Sequence, residues 1–241
     1  MLLADRKILI TGAARRIGRS LALAAAREGA NLIIHHNQSA AEAASLQKEI
    51  EDLGTQAVIY QCDFSCPEEV QDFANQALMN GDVDSIVNNA SIFSDQDWET
   101  TSVDSWNRHQ QINLLAPFLI SQAFAQRLPS SQPGRIINIL DWRALRPGPD
   151  HLPYTISKAG LAALTKSLAI SLAPNIIVNG LALGAILPPS DGSEVEDLVS
   201  SLPVPRWADL EEVEDAMIFL LSGPDYITGE IIHVDGGRHL I

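Results

Sequence analysis

Short apolar runs recur along the chain and alternate with longer segments of helical propensity. The runs predict seven strands, at 7–10, 32–34, 57–61, 83–87, 135–140, 175–178 and 230–234. Helices are expected after the first glycine turn to about 26, at 39–53, from Pro67 onward, through Asn113 to about 128, from about 152 to 173, and at 210–221. Residues 97–106 and the proline-rich, acidic stretch 187–206 carry no such pattern.

Strands that alternate with helices along the whole chain require a parallel sheet that is covered on both faces. We therefore expect an α/β fold, a doubly wound Rossmann-type parallel sheet with ligands at the carboxyl ends of its strands. A length of 241 residues with 46% hydrophobic content fits one domain over 1–241. The irregular stretch 187–206 is interpreted as a lid over the substrate.

Charge and cysteine content narrow the class of protein. A formal net charge of −14 argues against nucleic acid or an anionic membrane as partner. The two cysteines, Cys62 and Cys66, predict neither a metal site nor a disulfide framework. Asp5 and its charged neighbours interrupt any signal-peptide core, and no apolar run reaches membrane-spanning length. The expectation is a soluble, cytoplasmic protein that acts on a small molecule.

A glycine-containing turn, Thr-Gly-Ala-Ala-Arg-Arg-Ile-Gly at 11–18, follows the first strand and opens a helix. In this context the unpaired N–H groups of a helix N-terminus bind phosphate, and glycine lets the backbone come close to it. The residues expected at the cofactor here are Gly12, Arg15, Arg16, Ile17 and Gly18.

The end of the second strand indicates which dinucleotide is bound. The residues there are His35, His36, Asn37, Gln38 and Ser39, with no carboxylate to hold a ribose 2′-hydroxyl. The nearby arginines at 15 and 16 suit a 2′-phosphate instead, so the sequence predicts NADP. The two histidines are interpreted as polar loop residues rather than metal ligands, because no cysteine or carboxylate cluster accompanies them.

Tyr154 and Lys158 lie one helical turn apart on the same face of a predicted helix. An ammonium near the phenol favours the phenolate, so Lys158 is expected to lower the pKa of Tyr154 from about 10. A tyrosine of this kind can donate a proton near neutral pH.

These features, with Asn88-Asn89-Ala90 and with Asp141 thirteen residues before Tyr154, resemble the short-chain dehydrogenase/reductase family over nearly the whole chain. Arg16 stands where the common family pattern has a glycine, and this variant looks like the pteridine reductases. Leu183 departs from the proline that family members usually carry before Gly184.

The resemblance implies further roles for individual residues. Catalysis would involve Asn113, Asp141, Tyr154 and Lys158, with Asn113 anchoring a water and Lys158 holding the nicotinamide ribose. The further cofactor contacts would be Asp63 at the adenine, together with Phe64, Asn89, Ala90, Ser91, Gly184 and Ile186. Ser91 and Phe93 would meet the substrate, although a buried core phenylalanine is an equally good reading of Phe93. A homotetramer is also expected.

The favoured function is an NADPH-dependent reductase of a pterin or dihydrofolate-like ring, with no metal. Tyr154 would donate a proton, and Asp141 would either assist as an acid or only orient the tyrosine. One alternative is a carbonyl reductase of the same family, acting on a 3-oxoacyl thioester, a diketone or a sugar. The other is a dinucleotide-binding sensor without turnover.

Overall fold

The computed structural model describes residues 1–188 and 199–241. Its strands are β1 (Lys7–Ile10), β2 (Asn31–His36), β3 (Ala57–Gln61), β4 (Ser85–Asn88), β5 (Gly134–Asp141), β6 (Ile176–Leu183) and β7 (Ile231–Val234). Its α-helices are α1 (Arg16–Arg27), α2 (Ala40–Asp52), α3 (Pro67–Ala77), α4 (Val103–Gln110), α5 (Ala116–Arg127), α6 (Leu152–Leu172) and α7 (Leu210–Ser222).

All seven strands form one parallel sheet in the order β3-β2-β1-β4-β5-β6-β7. This order runs outward from β1 in both directions, as in a doubly wound fold, and confirms the predicted fold class. Successive residues of β1 face opposite layers: Ile8 and Ile10 pack into one core, and Leu9 packs into the other. A strand that is buried on both faces must be apolar throughout, which is why it reads as a continuous run.

Two predicted boundaries are wrong. Helix α4 begins inside the stretch expected to be irregular, because the Ser102 hydroxyl accepts a hydrogen bond from the N–H of Ser105 at 3.1 Å and caps the helix. Strand β6 continues to Leu183, five residues beyond position 178, where the predicted strand ended. Gly180 permits this close pairing, since a Cβ there would lie 2.7 Å from a methyl of Leu140.

The chain between α4 and α5 remains helical but forms one π-helical turn, Gln111–Leu115. A π turn inserts an extra residue and redirects the side chains within it. Asn113 lies in this turn and is completely buried.

Part of the predicted lid lies outside the described residues, because 189–198 are not among them. The described end of the stretch is joined to the C-terminal turn: Leu202 is buried, and the N–H of Val204 donates to the carbonyl of Gly236 at 3.0 Å. A helix long and apolar enough to span a membrane is not found in the described parts of the chain.

Candidate active site

Tyr154 and Asp141 come together at the carboxyl edge of the sheet. Asp141 is the last residue of β5, and Tyr154 lies in the first turn of α6. The tyrosine hydroxyl donates a hydrogen bond to Oδ2 of Asp141 at 3.1 Å. The other carboxylate oxygen accepts the N–H of Arg143 at 2.8 Å. Both carboxylate oxygens are therefore engaged, and the acid is fixed against the phenol.

The pKa values of both groups are raised. Burial raises the pKa of Asp141, and hydrogen bonds from Arg143 and Tyr154, with the charges of Arg143 and Lys158, only partly oppose this rise. Burial also raises the pKa of Tyr154 well above its usual value, and the adjacent Asp141 carboxylate raises it further. Both groups therefore tend to keep their protons.

Lys158 is buried beside Tyr154. Its ammonium donates to the carbonyl of Ile139 at 2.7 Å and lies 5.8 Å from the centre of the Tyr154 ring. Burial lowers the pKa of Lys158 to about 8, although Asp141 acts in the opposite direction. The expected lowering of the Tyr154 pKa by Lys158 is thus wrong for this arrangement, because burial and Asp141 dominate at the phenol.

Asn113 fixes the loop that follows β4 to helix α6. Its side-chain oxygen accepts the N–H of Ile92 at 2.9 Å, and its nitrogen donates to the carbonyl of Ile92 and to the hydroxyl of Ser157, both at 3.0 Å. Because the side chain is buried and committed in this way, its evident role is to hold that loop. The water that it was expected to anchor remains a prediction.

Phe93 is 56% exposed, so the reading of it as a core residue is wrong. Its ring stacks on His151 with centroids 4.1 Å apart and meets Tyr154 edge-on at 4.7 Å. Ser91, also exposed, precedes it in the same loop. The phenylalanine therefore forms an aromatic wall beside the tyrosine, where a planar substrate ring can pack.

Thr11 joins the glycine turn to the loop after β4. The Thr11 hydroxyl oxygen accepts hydrogen bonds from the N–H groups of Asn89 and Ala90 at 2.9 and 3.0 Å. The Asn89 amide in turn donates to the carbonyls of Thr11 and Gly12. A Cβ on Gly12 would lie 2.9 Å from the Cα of Ala90, and Gly12 has a positive φ of 63°. Only glycine allows this approach.

The N-terminus of α1 is open. Arg15 at the N-cap makes no side-chain cap hydrogen bond among the described residues, and the first turn of the helix has no acidic residue. Ile17 lies half-buried in that turn, and Gly18 approaches Gly12 so closely that a Cβ would collide with the Gly12 carbonyl. The exposed arginines flank the opening: Arg15 lies 3.6 Å from Glu42, and Arg16 donates to the carbonyl of Pro188 at 2.9 Å.

His35 supports this turn from behind. Its Nδ1 accepts the N–H of Gly12 at 3.1 Å, so its Nε2 must carry the proton that is donated to the carbonyl of Cys62 at 3.0 Å. The ring stacks on buried Phe64 at 3.9 Å. Burial lowers the pKa of His35 to about 4. The structure thus places the side chains of His35 and Phe64 in the core, behind the loop that they were expected to join at the cofactor.

The remaining predicted cofactor residues line the same edge. Asn37 and Gln38 follow β2, and Ser39 precedes α2 without capping it. Asp63 follows β3; hydrogen bonds from Ser65 are the main reason for the lowered pKa of its carboxyl group. Beyond β6, a Cβ on Gly184 would lie 2.6 Å from the Cα of Asp235. The side chains of Leu183 and Ile186 are buried in the core. Leucine at 183 therefore continues the strand where a proline was expected.

Three residues near the site had no assigned role in the sequence. Ser157 lies three residues after Tyr154 in α6, and its hydroxyl accepts a hydrogen bond from the Asn113 amide. The His151 ring stacks on Phe93, and the Arg143 guanidinium lies beside the carboxylates of Asp141 and Asp150. The sequence could have indicated only Ser157, because it lies one helical turn after Tyr154; nothing in the pattern indicated His151 or Arg143. Among the described residues, no group of three or more His, Cys, Asp or Glu side chains is arranged to hold a metal.

Comparison with known proteins agrees with this geometry. A family model described as enoyl-(acyl carrier protein) reductase matches residues 12–239. The 3-oxoacyl-[acyl-carrier-protein] reductase of Synechocystis sp. is 32% identical over 234 residues, 95% of each chain. The 5-keto-D-gluconate 5-reductase of Escherichia coli is 33% identical, covering 98% of this chain and 96% of its own.

Two solved structures are also similar. A FolM alternative dihydrofolate reductase 1 from Brucella canis, complexed with NADP, superposes with a TM-score of 0.91 at 34% identity, covering 100% of this chain and 97% of that one. A blue fluorescent protein from a metagenomic library, in complex with NADPH, has a TM-score of 0.90 at 32% identity over 98% and 99% of the two chains. Fold, site and relatives together define an oxidoreductase. The chain belongs to the short-chain dehydrogenase/reductase family.

Proposed function

We propose that the protein is an NADPH-dependent reductase of a pterin or dihydrofolate-like ring. The observation that carries this proposal is the hydrogen bond between Tyr154 and Asp141, a phenol and a carboxyl group that both keep their protons more strongly than usual. A ring C=N bond needs a proton on nitrogen as hydride reaches carbon, and a buried pair of this kind supplies it.

The residues fit a dinucleotide that lies across the carboxyl edge of the sheet. The uncapped N-terminus of α1 has free N–H groups for phosphate, and Arg15 and Arg16 border it. The Lys158 ammonium has three N–H bonds, of which the described residues occupy one, so two remain for ribose hydroxyls. The similar structures solved with NADP and NADPH support the same cofactor. When bound, the reduced cofactor supplies the hydride.

The chain's own groups would move the proton. Tyr154 donates its phenolic proton to the substrate nitrogen. A protonated Asp141 then donates a proton from Oδ2 to the phenolate oxygen, across the same contact but in the direction opposite to the present hydrogen bond. The net change is one proton from Asp141 to the substrate, and solvent restores it. Phe93 and His151 orient the ring and exclude water from one side.

A carbonyl reductase is the second candidate, and the 3-oxoacyl-[acyl-carrier-protein] and 5-keto-D-gluconate reductases among the relatives favour it. Asp141 opposes it only in the ionised form, because a charged carboxylate beside a carbonyl oxygen repels the developing negative charge. In the protonated form that its raised pKa favours, Asp141 is compatible with either substrate, so the substrate panel below decides between them. The intact set of Asn113, Tyr154 and Lys158 argues against a sensor without turnover.

Oxidation of NADPH against a substrate panel tests the proposal. The panel contains dihydrobiopterin, dihydromonapterin, dihydrofolate, an acetoacetyl thioester and a diketone. We expect kcat/KM for at least one pterin or folate to exceed that for both carbonyl substrates. Turnover of the carbonyl substrates alone would replace this function with the second candidate.

A further inference from the structure

The C-terminal turn after β7 holds Arg238 in a fixed position. The buried carboxylate of Asp235 accepts the N–H groups of Gly237 and His239, each at 2.9 Å. Gly237 adopts a positive φ of 82°, which turns the chain between these two bonds. Arg146 adds a hydrogen bond from its guanidinium to the carbonyl of Arg238 at 3.3 Å. The backbone of Arg238 is therefore ordered on both sides.

This position is beside the reacting pair. The guanidinium carbon of Arg238 lies 4.3 Å from the centre of the Trp142 ring, and Trp142 directly follows Asp141. Arg143 lies over the same ring at 4.7 Å. Burial and the positive charge of Arg143 lower the pKa of Arg238, while the carboxylates of Asp141, Asp150 and Asp235 act against this. Arg238 is thus within electrostatic reach of the catalytic carboxylate.

The guanidinium of Arg238 has no ion pair or hydrogen-bond acceptor within the described parts of the chain. A structural arginine in this protein looks different: Arg135 donates to the carbonyls of Leu220 and Gly223 and to the carboxylate of Asp225. Arg143 is shared between Asp150 at 2.6 Å and Asp141 at 4.0 Å, yet its Nε is buried without a partner. Within the described chain, Arg238 therefore offers a positive charge without an acceptor beside the active site. The neighbouring Arg146 is exposed and likewise has no acidic partner there.

A planar guanidinium with free N–H groups matches the two oxygens of a carboxylate. We infer that Arg238, supported by Trp142, binds a carboxylate carried by the substrate away from the ring that is reduced. The inference rests on the proposed function and narrows it to a carboxylated substrate such as dihydrofolate.

The test compares substrates that share a ring. Dihydrofolate and dihydropteroate carry carboxylates, and dihydrobiopterin carries none. We expect Arg238→Gln to lower the dihydrofolate-to-dihydrobiopterin ratio of kcat/KM about tenfold, chiefly through KM, as loss of a charge-assisted hydrogen bond requires. Arg238→Lys should restore part of the ratio because it keeps the charge. Lys48→Gln, which removes an exposed charge from α2, serves as the control and should leave the ratio unchanged.

An unchanged ratio in Arg238→Gln would overturn the inference, and a lowered melting temperature alongside it would assign Arg238 to stability alone. Failure of the native protein to reduce any of the three substrates would instead refute the proposed function. In that case calorimetry with p-aminobenzoylglutamate on the NADP-loaded protein decides the carboxylate site. Saturable binding that Arg238→Gln weakens about tenfold supports it, and absence of binding to the native protein overturns it.

Discussion

The hydroxyl of Tyr154 donates its hydrogen bond to Asp141 rather than to a neutral acceptor, and the distance is 3.1 Å. A buried carboxylate beside a phenol opposes ionisation of the phenol, and the pKa of each group is raised. Both groups therefore favour their protonated forms, in contrast with the activated phenolate that the spacing of Tyr154 and Lys158 predicts. The first two predictions follow from this pair.

Tyr154→Phe should abolish turnover while cofactor affinity stays nearly unchanged. The substitution removes the donor oxygen but keeps the ring that packs against Phe93. Single-turnover kinetics and titration of NADPH fluorescence measure the two quantities. Lys158→Ala should impair both, because the ammonium is the group available to the ribose. Retention of more than a few per cent of activity in Tyr154→Phe would place the proton donor elsewhere.

Asp141→Asn should reduce pterin turnover about 100-fold or more, the scale expected for loss of a general acid. Because the protonated acid is the active form, the native rate should decline as the pH rises through the raised pKa of Asp141. The variant should lack this decline. Asp95→Asn, which removes an exposed carboxylate 3.8 Å from His151, is the matched control. If Asp141→Asn turned over pterin at the native rate with an unchanged pH profile, Asp141 would not be the acid.

The same carboxylate affects stability with a defined sign. A folded-state pKa raised above the unfolded value stabilises the protein below the unfolded pKa, and this contribution is lost as the pH rises through the folded pKa. At neutral pH, which is above the unfolded pKa, Asp141 therefore opposes folding, and Asp141→Asn should melt at a higher temperature there. Asp141→Ser should cost pterin activity yet tolerate a simple carbonyl substrate.

NADPH should be preferred over NADH by tenfold or more in kcat/KM, since one charge-assisted contact to the 2′-phosphate contributes about 1.5–3 kcal/mol. Arg15→Ala and Arg16→Ala should reduce this preference. Arg27→Ala, on the same helix but paired with Glu214, is the control and should retain it. Equal kcat/KM values for the two cofactors in the native protein would contradict the assignment.

His35→Gln should remove part of the acid sensitivity of folding. The pKa of His35 is lowered from 6.5 to about 4, so neutral His35 stabilises the fold above pH 6.5, and this contribution declines between pH 6.5 and 4. The decline amounts to about 3 kcal/mol. Urea unfolding at several pH values should show a smaller loss in the variant than in the native protein. If the free energies of unfolding of the native protein and of His35→Gln changed equally with pH, a group other than His35 would cause the acid sensitivity.

A homotetramer is expected in solution, as the family resemblance implies. An apolar groove of about 380 Å³ between α4, α5 and α6 includes Leu114, Phe118 and Leu164. Phe118→Lys should lower the mass measured by light scattering, whereas Met79→Lys at the end of α3 should not. Gly160 of α6 packs against Leu114 of its own chain, since a Cβ at 160 would lie 2.8 Å from a Leu114 methyl. A native monomer at micromolar concentration would refute the expectation.

The sequence predicted the sheet because a doubly covered strand must be apolar, and it predicted the position of Asp141 because the strand ends there. It did not predict α4, since the Ser102 cap precedes a segment with almost no apolar face. The sequence pattern could not predict which side chains contact one another. The exposure of Phe93 depends on His151, and the pKa of Tyr154 depends on a contact with Asp141 across 13 residues. Such contacts are set by the tertiary fold and leave no periodic pattern.

The Thr11 hydroxyl has a thermodynamic consequence. Its two hydrogen bonds join the turn after β1 to a loop 78 and 79 residues away. Both segments therefore lose their conformational freedom when the chain folds, and little is left to lose when a ligand arrives. Binding along this edge then approaches the association of rigid bodies, with affinity limited by the contacts made and the ligand's own ordering.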